Sequence, residues 1–438
     1  MRKKFKVNSL KSKVLIFLSF CLLFTLNPLP FSKVEMGGFK AEARVYIDIT
    51  SPAFKKLPIG IHDFSGDSGK EIADIIRDNL DFTGLFEYID KAAYLENPSQ
   101  PFNPLNWTPL GTEAVVKGSS KIGEKDLIAR VSLYDVFEGK EIMRKEYRAE
   151  KELLRQLSHA IANDIYYTLT GEKAIFRSRI AFICEDKGQR ELCLMDWDGG
   201  RITKTGLRGN VILSPHWSKD GTKIIFSAER NRQWEIFLLD FKSMKEMKVF
   251  SARGTNIAGD FLPDGNQFTF SSSKDGTHDL YIMDLKNKDI KKLTSYFGIE
   301  VSPAVSPDGR YISFVSDRGG SPQIYTIRTD GSELRRITFE GSYNTSPSWS
   351  PRGDKIVFTG RRVTNQICIV NPDGTGLTQL TTWGNNEGPS FSPDGRYITF
   401  SSDRDGLKGV YIMRANGESQ KRITTRNMNA YSPRWSPN

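Results

Sequence analysis

A mixed α/β domain followed by a six-bladed β-propeller, closed into a ring by the C-terminal strand, is the multidomain fold this sequence predicts, on three observations. A turn recurs at Ser218-Lys219-Asp220-Gly221, Leu262-Pro263-Asp264-Gly265, Ser306-Pro307-Asp308-Gly309, Ser350-Pro351-Arg352-Gly353 and Ser392-Pro393-Asp394-Gly395, with glycines advancing by 44, 44, 44 and 42 residues. Each unit carries four short β-prone segments, the spacing of a propeller blade. Residues 44–172 lack the repeat and mix strand and helix periodicities instead. The expected layout is a signal peptide over 1–43, the α/β domain over 44–172 and the propeller over 173–438.

The first segment explains much of the charge. Met1 to Lys13 carries six Lys or Arg, and Val14 to Leu26 is apolar apart from Ser19 and Thr25, too short to span a bilayer. With Ala41-Glu42-Ala43 it reads as a secretory signal cut before Arg44, which predicts a periplasmic protein with no membrane insertion after cleavage. The whole chain has a formal charge of +10; without this segment, 54 Lys or Arg face 50 acids, or +4. That balance removes the main support for a nucleic-acid partner. With 38% hydrophobic and 26% charged residues, the composition is that of an ordinary globular protein.

In the α/β domain, Val45 to Ile49, Leu57 to Ile61, Thr112 to Lys117 and Leu127 to Val136 read as strands. Lys70 to Leu80 places Ile72, Ile75, Ile76 and Leu80 at helical spacing, and Glu150 to Leu169 carries a longer apolar stripe from Leu153 to Leu169. Thr170-Gly171 ends that helix, Ala174 to Ser178 reads as a short linker, and the four prolines of Pro98 to Pro109 mark a loop.

In each blade the first strand holds a Ser-Pro-x-aromatic run such as Ser346-Pro347-Ser348-Trp349, and Ser-Pro-Asp-Gly suits a tight turn into the second strand. The second strand, as in Lys355 to Thr359, is apolar on both faces, as expected between neighbouring sheets. The third, as in Gln323 to Ile327, leads to Asp330-Gly331 or its equivalents. The fourth ends in Leu or Ile followed by Thr, as at Arg335 to Thr338. Arg179 to Cys184 begins a blade that has no first strand before it, and the truncated last copy, Tyr431 to Trp435, is expected to pair with it and close the ring.

No catalytic or metal signature is present: there is no Gly-x-Ser-x-Gly, no His-Glu-x-x-His and no phosphate-binding glycine loop, and the histidines are His62, His159, His216 and His278 alone. No cofactor is expected. Cys184 and Cys193 lie on two strands of one predicted hairpin, where a disulfide and two buried thiols stand as equal alternatives, and Cys368 is left single. Two residues before each Ser-Pro position stand Ile212, Asn256, Glu300, Asn344, Asn386 and Ala430. Read as a rim at the channel mouth, Asn256, Glu300, Asn344 and Asn386 offer amide and carboxylate groups to an inserted peptide. Joint replacement of Asn256, Glu300 and Asn344 by Ala is then expected to weaken binding without unfolding.

The helix end Leu169-Thr170-Gly171, the junction Ile175-Phe176-Arg177-Ser178-Arg179-Ile180-Ala181-Phe182, the five turns and the ending Trp435-Ser436-Pro437 together resemble the TolB family of periplasmic Tol-Pal proteins. The resemblance implies a non-enzymatic component of that system, a monomer within a complex. It implies docking to the peptidoglycan-associated lipoprotein Pal through the propeller mouth and to the inner-membrane protein TolA through Arg44, Val45, Tyr46, Ile47, Asp48, Ile49 and Thr50, a strand-like start suited to joining a partner's sheet edge. It further implies a role in outer-membrane integrity and in constriction at division. The lipoprotein-contacting loop positions of the family fall on Thr255, Ala258 and Val301, beside Asn256 and Glu300. Two other readings remain: a peptide- or sugar-binding propeller unrelated to this system, and the propeller half of a hydrolase. The second needs a hydrolase domain of more than about 200 residues, which the first domain does not supply.

Overall fold

The computed structural model describes residues 55–437, which belong to one compact unit. The signal peptide and the strand expected over Val45 to Ile49 lie outside the described residues.

The first domain is a sheet in the order Phe86–Tyr88, Leu57–Ile61, Ala114–Ile122, Asp126–Asp135 and Lys140–Glu150; the short strand Ser65–Gly66 also pairs with Ala114–Ile122. Leu57–Ile61 runs parallel to both its neighbours and Ser65–Gly66 parallel to Ala114–Ile122, while the ladders from Ala114–Ile122 to Asp126–Asp135 and on to Lys140–Glu150 are antiparallel. Helices α1 (Gly69–Thr83) and α2 (Leu154–Thr170) pack on it, burying Ile72, Ile76, Leu80, Leu157, Ile161, Ile165 and Leu169. Each helix stops at a glycine in the left-handed region, Gly84 (φ 69°) and Gly171 (φ 72°), where a side chain would be strained.

Three details depart from the sequence expectation. Lys140–Glu150 is a strand with no counterpart in the predicted elements, because its Lys, Arg and Glu side chains give no apolar alternation to read; such charges are usual on an edge strand. Glu150 therefore closes that strand, Lys151–Leu153 forms a 3₁₀ turn, and α2 starts only at Leu154. The segment read as a linker is packed: Ala174, Ile175 and Phe176 are buried in a core shared by both domains, which also holds Trp197, Tyr397 and Trp435.

Six four-stranded antiparallel sheets follow. In blade 1 the C-terminal strand Asn429–Trp435 pairs with Arg179–Asp186, setting Trp435 opposite Ile180, and the sheet continues through Gln189–Asp196 and Thr203–Gly209. Trp435 seals the closure by donating its indole N–H to the Ser178 hydroxyl at 2.7 Å. Blades 2 to 6 open with the first strands Val211–Trp217, Asn256–Phe261, Glu300–Val305, Tyr343–Trp349 and Asn386–Phe391. The ring and its C-terminal fastening are those predicted. A disulfide joins Cys184 and Cys193 on adjacent strands, and Cys368 is free and buried.

Local chemistry accounts for the repeated residues. In the Ser306 turn, the hydroxyl donates to Asp308 at 2.6 Å and accepts the Tyr311 N–H at 2.9 Å, while Gly309 sits at φ 73°. Where Arg352 replaces the turn aspartate, Asp354 takes over as acceptor for Ser350 at 2.7 Å. The threonine after the fourth strand accepts a backbone N–H from the third: Leu280 to Thr294 at 3.0 Å, Ile324 to Thr338 at 2.9 Å, Ile367 to Thr381 at 2.8 Å and Val410 to Thr424 at 3.0 Å. These bonds extend fourth strands only two or three residues long.

The α/β domain rests on the turn face of blades 6 and 1. Arg155 pairs with Asp198, Phe82 packs on Trp197 and Tyr397, and Arg396 donates to the Tyr166 hydroxyl at 2.8 Å. The loops leading into the first strands lie at the opposite ends of those strands, leaving that mouth of the channel uncovered by the first domain.

Candidate protein-docking mouth

The first strands line the channel, and each carries a bulge at its Ser-Pro position: register shifts fall between Leu213 and His216, Ala258 and Phe261, Val301 and Ala304, Thr345 and Ser348, Glu387 and Ser390, and Tyr431 and Arg434. The serine is left-handed, at φ 52° to 55° in Ser214, Ser302, Ser346 and Ser432. One extra residue there reverses which side chains face the channel on either side of it.

This corrects the rim. Ile212, Asn256, Glu300, Asn344, Asn386 and Ala430 are all buried, and their neighbours Leu213, Ile257, Val301, Thr345, Glu387 and Tyr431 are the half-exposed set. Asn256 donates to the carbonyls of Trp234 (2.9 Å) and Ala252 (2.6 Å) and accepts from Ser272 (2.6 Å). Glu300 holds Arg318 and Ser316. Asn344 donates to Gln323 Oε1 on the preceding blade at 2.7 Å and to the Glu340 carbonyl at 2.8 Å. Asn386 likewise reaches Gln366 Oε1 and the Trp383 carbonyl, both at 2.9 Å, and accepts from Arg404 at 2.8 Å. The asparagines tie the entering loop and the preceding blade to the first strand, Glu300 ties that strand to the end of the second strand of its own blade, and none of the four presents its side chain to a partner. Ala258 is also buried, while Thr255 and Val301 are half-exposed.

The surface at this mouth is built by other residues. A cavity of about 570 Å³ opens there between blades 5, 6 and 1, lined among others by Tyr343, Thr345, Arg361, Glu387, Lys408 and Tyr431. Glu387 pairs with Lys408 at 2.6 Å and accepts from Asn365 at 2.7 Å; these partners outweigh burial and hold its carboxyl below the usual range. Glu185 pairs with Arg190 and accepts the Tyr431 hydroxyl at 3.1 Å. Arg361 stands over the Tyr343 ring at 4.6 Å and donates through Nε to Asn365 at 3.0 Å. In the sequence these residues show only as ordinary strand ends, and the parity that brings them to the mouth is set by the bulge.

Deeper in the channel the first strands of blades 1, 2 and 3 contribute Arg434, His216 and Asp260, whereas blades 4, 5 and 6 place Ala304, Ser348 and Ser390 at the same repeat position. His216 Nδ1 lies 2.5 Å from Asp260, which also accepts the Val305 N–H at 3.0 Å. Burial lowers the imidazole pKa despite this aspartate; His216 and Arg434 together override the burial of Asp260 and keep its carboxyl ionised to lower pH. Arg434 acts on Asp260 through its charge alone, while its Nη1 donates to the carbonyls of Gly388, Pro389 and Pro433. Among the described residues no three His, Cys, Asp or Glu form a group that could hold a metal ion, and no helix is long and apolar enough to cross a membrane.

Comparisons with known proteins agree with this architecture. Residues 45–142 match the model of the TolB amino-terminal domain, and residues 166–438 match that of the TolB beta propeller domain. Tol-Pal system protein TolB of Dechloromonas aromatica is 32% identical over 189 residues, 42% of this chain and 44% of the relative. Tol-Pal system protein TolB of Anaeromyxobacter sp. (strain K) is 34% identical over 195 residues, 42% of this chain and 45% of the relative. The match thus spans under half the length of either relative. The crystal structure of TolB from Acinetobacter baumannii superposes with a TM-score of 0.79 at 26% identity, over 90% of this chain and all of that one. With both domain models matched in order, and the propeller model alone covering more than half of the sequence, the chain belongs to the TolB family.

Proposed function

We propose that this protein is a non-enzymatic periplasmic scaffold of the Tol-Pal system, which binds the lipoprotein Pal through the propeller mouth and TolA through its mature N-terminus, and so supports outer-membrane integrity and envelope constriction during division. The observation that carries the reading is the open mouth on the face turned away from the α/β domain, in a chain of the TolB family. It is supported by the names of the relatives, which are Tol-Pal system proteins. Thr255 and Val301 border the entering loops at this mouth, while Asn256, Asn344 and Asn386 act beneath it by fixing those loops, Glu300 braces its own blade and Ala258 is buried. The TolA site, Arg44 to Thr50, lies outside the described residues and rests on the resemblance alone.

The test is co-purification of residues 44–438 with the soluble domain of a Pal-type lipoprotein and, separately, with the C-terminal domain of a TolA-type protein. Deleting residues 44–50 is expected to abolish TolA capture and spare Pal capture. Undiminished TolA capture, or no Pal capture by the intact protein, overturns the corresponding half of the reading.

A further inference from the structure

The uncovered face is not uniform around its ring. Six large apolar side chains stand in its loops: Phe297 (86% exposed), Ile299, Phe339 (68%), Val363 (97%), Trp383 (70%) and Leu407. All belong to the half of the ring from the blade 3–4 junction to blade 6. The loops of the other half, residues 186–189, 209–211, 230–233, 252–255 and 425–428, expose instead Lys187, Asn210, Arg232, Arg253 and Arg426. Isolated exposed apolar residues are ordinary, but six on five loops of one half of this face form the kind of patch that marks a protein contact.

The apolar half is also stitched together. Ile299 N–H donates to Asp317 at 2.9 Å, Arg362 lies 3.8 Å from Glu340, Thr364 donates to the Gly384 carbonyl at 3.1 Å, and Asn385 N–H donates to Asp403 at 2.8 Å. Each bond joins one loop to the next, so the patch is pre-formed and a partner bears little ordering cost on binding.

At the inner edge of this arc stands Arg361. Its Nε is engaged by Asn365 and its plane covers Tyr343, yet no carboxylate lies within ion-pair distance among the described residues, and Nη1 and Nη2 have no hydrogen-bond partner there. The other charged residues of the cavity pair off as Glu185 with Arg190 and Glu387 with Lys408. Of the three cations lining the cavity, Arg361 is therefore the one left without a carboxylate, and its free donors are set out as a two-pronged fork.

We propose that the protein partner docks off-centre, seating an apolar surface on the arc of Phe339, Val363, Trp383 and Leu407 and passing an acidic side chain into the mouth to form a bidentate pair with Arg361. This assignment rests on the Pal-binding reading and adds to it the footprint and the chemistry of the partner.

Titration calorimetry of residues 44–438 with the soluble domain of a Pal-type lipoprotein tests it. Trp383→Ala and Phe339→Ala are each expected to weaken binding by at least about tenfold, as interface aromatics do, while Arg253→Ala on the other half changes it by less than about threefold. Arg361→Glu should weaken binding at least tenfold and flatten its dependence on salt between about 50 and 300 mM, with Arg361→Lys intermediate. All four positions are solvent-exposed, and unchanged melting temperatures verify folding. Tight binding by the intact protein with Trp383→Ala and Arg361→Glu both within about threefold overturns the footprint and leaves the Pal reading standing. Absence of binding by the intact protein overturns both. Co-sedimentation with anionic phospholipid vesicles that is lost in Trp383→Ala, without loss of lipoprotein binding, would reassign the arc to a membrane surface.

Discussion

Replacing Asn386 by Ala separates a residue that holds the mouth together from one that touches a partner. Asn386 is fully buried, with its amide donating to Gln366 on the preceding blade and to the Trp383 carbonyl, and its oxygen accepting from the Arg404 guanidinium. Alanine keeps the backbone and removes all three bonds. A neutral hydrogen bond is worth about 1 kcal/mol net and one to a charged group about 1.5–3, so the loss is roughly 3–5 kcal/mol. At ~2–4 °C per kcal/mol for a domain of this size, thermal unfolding followed by near-ultraviolet circular dichroism should shift down by roughly 6–20 °C. Thr382→Ala in the same loop is exposed and should change stability by less than about 0.5 kcal/mol. A shift of under about 2 °C for Asn386→Ala would refute the view that this residue staples two blades. By the same reckoning the triple change at Asn256, Glu300 and Asn344 is expected to unfold the propeller, the reverse of what a surface rim implies.

Other outcomes follow from the same contacts. Trp435→Ala removes the seal between the last strand and Ser178 and should cost about 3–5 kcal/mol in denaturant titration, a loss that is absent if the ring does not depend on its terminal strand. Arg155→Ala breaks the ion pair with Asp198 across the two domains; limited proteolysis should then cut faster between residues 171 and 178, and an unchanged rate would place the junction's order elsewhere. Burial, with Lys117 nearby, lowers the pKa of His62 to about 4, and burial lowers that of His159, so the unfolded chain takes up protons first. Stability is therefore full above the unfolded value of 6.5 and declines as pH falls toward 4, which a urea midpoint flat between pH 7 and pH 4.5 would contradict.

What the sequence could and could not reveal turns on one residue of insertion per blade. The 44-residue spacing and the orphan strand at Arg179 sufficed for the ring and its closure, because strand count and order survive any local irregularity. Side-chain direction does not survive it. His216, Asp260, Ser348, Ser390 and Arg434 line the channel interior, and counting back from them by strict alternation sets Asn256, Asn344 and Asn386 on the channel side as well. A left-handed serine, Gly388 in blade 6, or in blade 3 the bulge between Ala258 and Phe261 inserts one residue between the two halves of the strand and inverts that parity, sending the asparagines between blades and turning Thr345, Glu387 and Tyr431 to the mouth. Ser-Pro is compatible with several backbone paths, so the bulge was unreadable until the register was known. The apolar arc needed no register: Phe297, Phe339 and Trp383 each fall three or four residues before a first strand, in loops where turn residues are expected, and an aromatic repeated there has no core to enter. The mutational contrast between Asn386 and Trp383, three residues apart, thus measures parity directly, since one should move the melting temperature and the other the affinity for the partner.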